Sequence, residues 1–174
     1  MIVVEKCYDE HYVRSVTEMG DSHEIVTNQA IFTRNKIKLI DQGVRVNSAL
    51  FERLVSHKLI PQLDRCLTVE NGVSQDSLKK RAIELLDQDP GLSGLRGDVK
   101  IRNRILHAFG EIPLVAPLAF KLTVARNQRP DVYDHSIRIA LVALFLAIRS
   151  SSFSEQGLVT LAAAAVFHDI GIVH

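Results

Sequence analysis

Two apolar runs, Ile139 to Ile148 and Leu158 to Phe167, constrain this chain more than any other feature of it. Each is too long for an ordinary strand and falls well short of the roughly 20 residues that a membrane-crossing helix needs. Both therefore predict helices of a protein core, and a helix apolar on nearly every side is a buried one. Between them lies Ser150-Ser151-Ser152-Phe153-Ser154, a connection short enough to make the two helices antiparallel neighbours. Pro130 suits a first helical turn because its missing N–H is one that would go unpaired there, so the first helix is expected from Pro130 to Arg149. The second runs from about Glu155 to Phe167, and Ala162 to Ala165 allow its partner a close approach.

The rest of the chain predicts a mainly α protein with one small mixed module. Of 174 residues, 47% are apolar and 24% charged, which supports a packed core and excludes a disordered tail. Residues 1–26 carry mixed charge without a clean period, and they predict no element. Residues 27–67 read as a β-β-α module: Ile31, Phe32, Leu39 and Ile40 are strand formers broken by turn signals at Arg34-Asn35-Lys36 and Asp41-Gln42-Gly43. Asn47 or Ser48 then caps a helix through Leu50, Phe51, Leu54 and Val55. Residues 74–110 are expected as connecting helices, the first opened by Ser74 and stopped by Asp89-Pro90-Gly91, the second from about Arg96 to Phe109. Residues 112–174 are expected as a further unit, with a helix from Leu114 to Ala125 ahead of the hairpin.

Charge and cysteine usage exclude several functions. A net charge of +1 with no tryptophan gives no electrostatic or stacking surface for a nucleic-acid polymer. Cys7 and Cys66 have neither finger nor CxxC spacing, and the apolar start, Met1 to Val4, is too short for a signal peptide, so a reducing cytoplasm and no membrane partner are expected. The basic groups Lys79-Lys80-Arg81 and Arg96, Lys100, Arg102 and Arg104 read as solvated helix faces.

The hairpin carries the chemistry. His135 lies near the start of the first helix and His168-Asp169 at the end of the second, each about fourteen residues, roughly 20 Å, from the connection. Antiparallel packing then brings all three to one end. Two imidazoles and a carboxylate suit a divalent transition metal such as iron, manganese, nickel or zinc. Asp131, four residues before His135, shares its helix face; it reads first as a first-turn carboxylate stabilising the helix N-terminus, with metal ligation as the alternative. Arg138 is expected to pair with Asp134, its i,i+4 neighbour.

Tyr133-Asp134-His135-Ser136-Ile137-Arg138-Ile139, followed 33 residues after its histidine by His168-Asp169-Ile170-Gly171, resembles the front half of an HD-domain phosphohydrolase. It is most similar to the HD-GYP branch, metal-dependent phosphodiesterases for cyclic-di-GMP. The resemblance implies an HD-domain helical bundle, here incomplete, with His135, His168 and Asp169 as metal ligands, Asp169 as the catalytic, metal-bridging aspartate, and Asp131 where trimetal members place an acidic ligand. It also implies iron, manganese or a similar divalent ion, weakly held or absent in this chain, and cyclic-di-GMP or a related phosphodiester as the ligand of a full-length parent. The family's lysine after His-Asp-Ile-Gly is Ile172 here, and its later ligands do not occur before His174. The expectation is therefore the N-terminal part of a longer phosphohydrolase, inactive alone. The alternative is a catalytically silent signalling module binding a nucleotide or protein partner through its bundle. Self-association through exposed apolar helices is expected as well.

Overall fold

The computed structural model describes residues 9–151 and 153–172. It is mainly helical, with short antiparallel strands near the N-terminus, in the order α1 (Glu10–Ser22), β1 (Ile25–Thr27), β2 (Ile31–Thr33), β3 (Lys38–Ile40), α2 (Phe51–Val55), β4 (Leu59–Ile60), α3 (Leu63–Cys66), β5 (Leu67–Val69), α4 (Gln75–Gln88), α5 (Val99–Gly110), α6 (Ala116–Gln128), α7 (Pro130–Ser150) and α8 (Glu155–Phe167). Among the described residues, no helix is long and apolar enough to cross a membrane. The chain divides into two compact units, residues 9–72 with 116–129 and residues 73–115 with 130–172.

In the first unit the expected hairpin is present: β2 pairs with β3 antiparallel, and the turn between them uses Lys36 at φ 61°. The structure adds what the periodicity left out. Strand β4 extends that sheet on the other side of β2, and β1 pairs with β5 in a separate ribbon registered Ile25 to Val69. Residues 1–26, for which no element is expected, contain α1 and the first two residues of β1. Asp9 caps α1 by accepting from the His11 N–H, and Val13, Val16 and Met19 form its buried face. That face is diluted by Thr17, whose hydroxyl donates to the Val13 carbonyl at 3.0 Å, and by Gly20, where a Cβ would collide with the Val46 carbonyl. Helix α6, expected with residues 112–174, belongs instead to this unit, with α1 and α3 against it.

A buried polar group of this unit also escaped the sequence reading. The Tyr12 hydroxyl is inaccessible and has no hydrogen-bond partner among the described residues, and burial, with Asp64 adding to it, pushes its phenol above the ordinary range. Burial likewise pushes the Cys66 thiol up to about 12, which marks an unreactive core cysteine. Cys7 lies outside the described residues.

The second unit packs α4, α5, α7 and α8 around Leu78, Leu86, Ile105, Leu141, Leu144 and Leu158, all fully buried. The Ser74–Ser77 capping box opens α4 as expected, and Ser154 caps α8 by accepting from the Gly157 N–H. The basic residues read as solvated faces are in fact largely joints between elements. Arg81 grips Asp134 with two hydrogen bonds, 2.9 and 2.6 Å, and Arg104 bonds Glu155 at 2.6 and 2.9 Å. Arg96 donates to the carbonyls of Leu86 and Asp89, closing the end of α4. Arg138 does not pair with Asp134: its Nε donates to Asp89 at 2.6 Å, because Asp134 is already held by Arg81. The pair holds the Asp89 carboxyl below the usual carboxylate range, aided by the Gly91 N–H.

Candidate functional site

Helices α7 and α8 pack closely along one another, and the sequence explains how. Tyr133, Ile137, Ala140, Leu141, Leu144 and Ile148 give α7 a buried row at helical spacing. Helix α8 answers with Leu158, Val159, Ala162, Ala165 and Val166, its small residues lowering the distance of approach. The short connection enforces the antiparallel sense, so the second turn of α7 lies beside the last turn of α8.

That geometry brings His135, His168 and Asp169 together. One ligand atom from each lies within 4.8 Å of the other two, the only such cluster of metal-capable side chains among the described residues. The His168 Nε2 is 3.0 Å and the His135 Nε2 3.9 Å from the Asp169 Oδ2, and the two rings have centroids 6.1 Å apart. Donors bound to one ion at about 2.0–2.2 Å lie roughly 3–4 Å from each other, so the two separations to Asp169, 3.0 and 3.9 Å, fit a shared ion, while the widest in the cluster, up to 4.8 Å, needs a small side-chain rotation.

The second shell fixes one donor's orientation. His168 Nδ1 is 2.7 Å from the Ala165 carbonyl oxygen. A carbonyl only accepts, so Nδ1 carries a proton, and Nε2 faces Asp169, where it donates to the carboxylate in the doubly protonated ring or offers its lone pair to a metal in the neutral one. Two lone-pair-bearing atoms at 3.0 Å repel unless a cation sits with them, whether a proton or a metal. The carbonyl end of α8, where His168 stands, favours positive charge in the same place. The His135 side chain is 54% exposed and that of Asp169 25%, so the cluster is open to solute on one side.

Asp131 falls outside the cluster; it is exposed in the first turn of α7, where its charge favours the helix N-terminus. Ile170, Gly171 and Ile172 form a single tight turn after the dyad. The side chain of Ile172 lies outside the described residues, as does His174. Among the described residues no lysine or arginine pairs with any member of the cluster. A comparison with protein-family models, with curated proteins and with solved structures found no match.

Proposed function

We propose that this chain forms the metal-holding front part of a metal-dependent phosphohydrolase of the HD-GYP kind, a cytoplasmic protein acting on cyclic-di-GMP or a related phosphodiester. The observation that carries the reading is the convergence of His135, His168 and Asp169 at one open end of the α7–α8 pair, with the His168 Nε2 3.0 Å from the carboxylate. Imidazole and carboxylate together match divalent iron or manganese. His135, His168 and Asp169 are the residues that would hold such an ion. The bound ion supplies Lewis-acid polarisation of a phosphoryl oxygen and activation of water. The chain's own contribution is positional: the Ala165 carbonyl sets the orientation of the His168 ring, and the α7–α8 packing sets His135 beside it.

The second reading, a silent module that binds a nucleotide or partner, is favoured by one fact of composition and one of pairing. Ile172 cannot donate to a phosphate or protonate a leaving group, and Arg138, the arginine of α7 nearest His135 in sequence, is occupied by Asp89. The two readings separate in equilibrium dialysis of the chain loaded with manganese against labelled cyclic-di-GMP. The enzyme reading expects retention that is lost on chelation and in Asp169→Ala, with no turnover above a metal-only control. Nucleotide retained equally with and without chelator would transfer the function to the silent module, and retention in neither condition would remove cyclic-di-GMP as the ligand.

A further inference from the structure

The outer side of α7 carries a second row that its own core does not use. His135, Ile139, Val142, Leu146 and Arg149 follow one another at steps of four, three, four and three, the spacing at which one helix lies along another. Ile139, Val142 and Leu146 are 40%, 38% and 60% exposed, a contiguous apolar row on a helix whose opposite row is already buried. The row is symmetric about Val142: seven residues lead back to His135 and seven forward to Arg149, about 10 Å each way.

We propose that a second copy of this chain covers this row, its α7 running antiparallel to the first about a two-fold axis at Val142. In that arrangement Val142 meets its counterpart, Ile139 lies beside Leu146 of the second copy, and His135 lies opposite Arg149 of the second copy. Charge selects the orientation. His135 stands 3.9 Å from the Asp169 carboxylate, at the end of the row where this chain offers no cation of its own. Antiparallel pairing brings a guanidinium to each such end, whereas parallel pairing sets Arg149 against Arg149 and one carboxylate-bearing end against the other. The second copy therefore contributes a residue to the cluster, an arginine able to meet an anionic group held there. The inference stands on the exposed row and on the terminal charges of the metal-free cluster; a divalent ion there turns that end positive and favours the guanidinium only when an anionic ligand is held with it.

One helix pair buries little area, so the dimer is weak, populated at roughly 100 µM and dissociating at a few µM. Sedimentation equilibrium of the whole chain from about 5 to 200 µM should follow a monomer–dimer curve. Val142→Lys, a change at a partly exposed position whose retained helicity is checked by far-ultraviolet circular dichroism, should raise Kd tenfold or more, and Arg149→Asp should raise it by a smaller factor. Orientation is read from disulfide trapping with diamide in a Cys7→Ser background, Cys66 being buried. Val142→Cys should cross-link and Arg149→Cys should not, its two copies lying about 20 Å apart. A monomer throughout, a dimer indifferent to Val142→Lys, or cross-linking through Arg149→Cys as fast as through Val142→Cys would each overturn the proposal. The first of these would leave the row to a different polypeptide, and open-ended aggregation in place of a dimer would mark it as a non-specific apolar patch.

Discussion

The seam between α4 and α7 and the end shared by α7 and α8 are both assembled from charged and titratable side chains, but the two are completed in opposite ways. Along the seam each cation has its acceptor: Arg81 on Asp134, Arg138 on Asp89, and Arg96 on the carbonyls of Leu86 and Asp89 at the end of α4. At the helix ends, two imidazoles and a carboxylate converge with no lysine or arginine among the described residues to answer them. Paired groups at a helix contact are what a fold needs to bury or half-bury charge without loss. Two imidazole nitrogens 3.0 and 3.9 Å from one carboxylate oxygen need a shared cation, a proton or a metal, to hold together. The contrast separates side chains that serve the fold from side chains available to a ligand.

The comparison breaks first if the scaffold beneath both regions is removed. Leu144 is fully buried on α7, and Leu144→Ala should cost about 2–5 kcal/mol in urea unfolding, taking seam and cluster together. Arg81→Met strikes the seam alone. It leaves the largely buried Asp134 carboxylate without its bidentate partner and should cost about 1–2 kcal/mol, the usual worth of a charge-assisted bond that is part-screened by water. Metal affinity should hardly change, because the cluster lies on another side of α7.

Acid acts more gently, on the carboxylates at the end of α4 that face α5 and α7. Asp89 and Asp87 are held below the ordinary carboxylate range, chiefly by their bonds to Arg138 and Arg102. A depressed folded-state pKa means that the unfolded chain binds the proton more readily. The pairs therefore stabilise fully above the unfolded carboxylate value near 4, and that contribution drains away as pH falls below it. Thermal melts should show a falling midpoint from about pH 4 downwards, and Asp89→Asn should flatten part of that slope. The smallest expected effect belongs to the cluster: without metal, His135→Ala should shift stability by less than about 0.5 kcal/mol, since a half-exposed imidazole carries little of the fold.

The hairpin and the convergence of His135, His168 and Asp169 were legible in the sequence because each depends on a local signal, a long apolar run with a short polar connection. The seam was not. Asp134 is the nearest acid to Arg138 along the helix, but it is claimed by Arg81, 53 residues away, and Arg138 turns to Asp89, 49 residues away. Sequence spacing on one helix cannot report a competitor from another. Helix α1 was hidden for a different reason: Val13, Val16 and Met19 do recur at helical spacing, but they are few in a segment of mixed charge, and Thr17 and Gly20 complete the buried face. Strands β1, β4 and β5 have two or three residues each, too few to show an alternation, and β1 finds β5 some 40 residues later. The expected helix from Leu114 to Ala125 is present as α6, but its grouping with the N-terminal unit rests on contacts with α1 and α3 that no local pattern encodes. The exposure of Asp131 outside the cluster follows from its place one helical turn before His135, towards the open end of α7.

The central claim is that His135, His168 and Asp169 form a cation site and not a set of helix-end polar residues. Electron paramagnetic resonance of manganese(II) titrated into the whole chain tests it most directly, because bound and free ion give different signals. The account expects one ion per chain, held at micromolar or weaker affinity by three protein donors, with affinity falling at least about tenfold in both His168→Ala and Asp169→Asn while Arg81→Met binds as the parent does. Binding absent at millimolar manganese, or equal in the parent and both cluster variants, would contradict it.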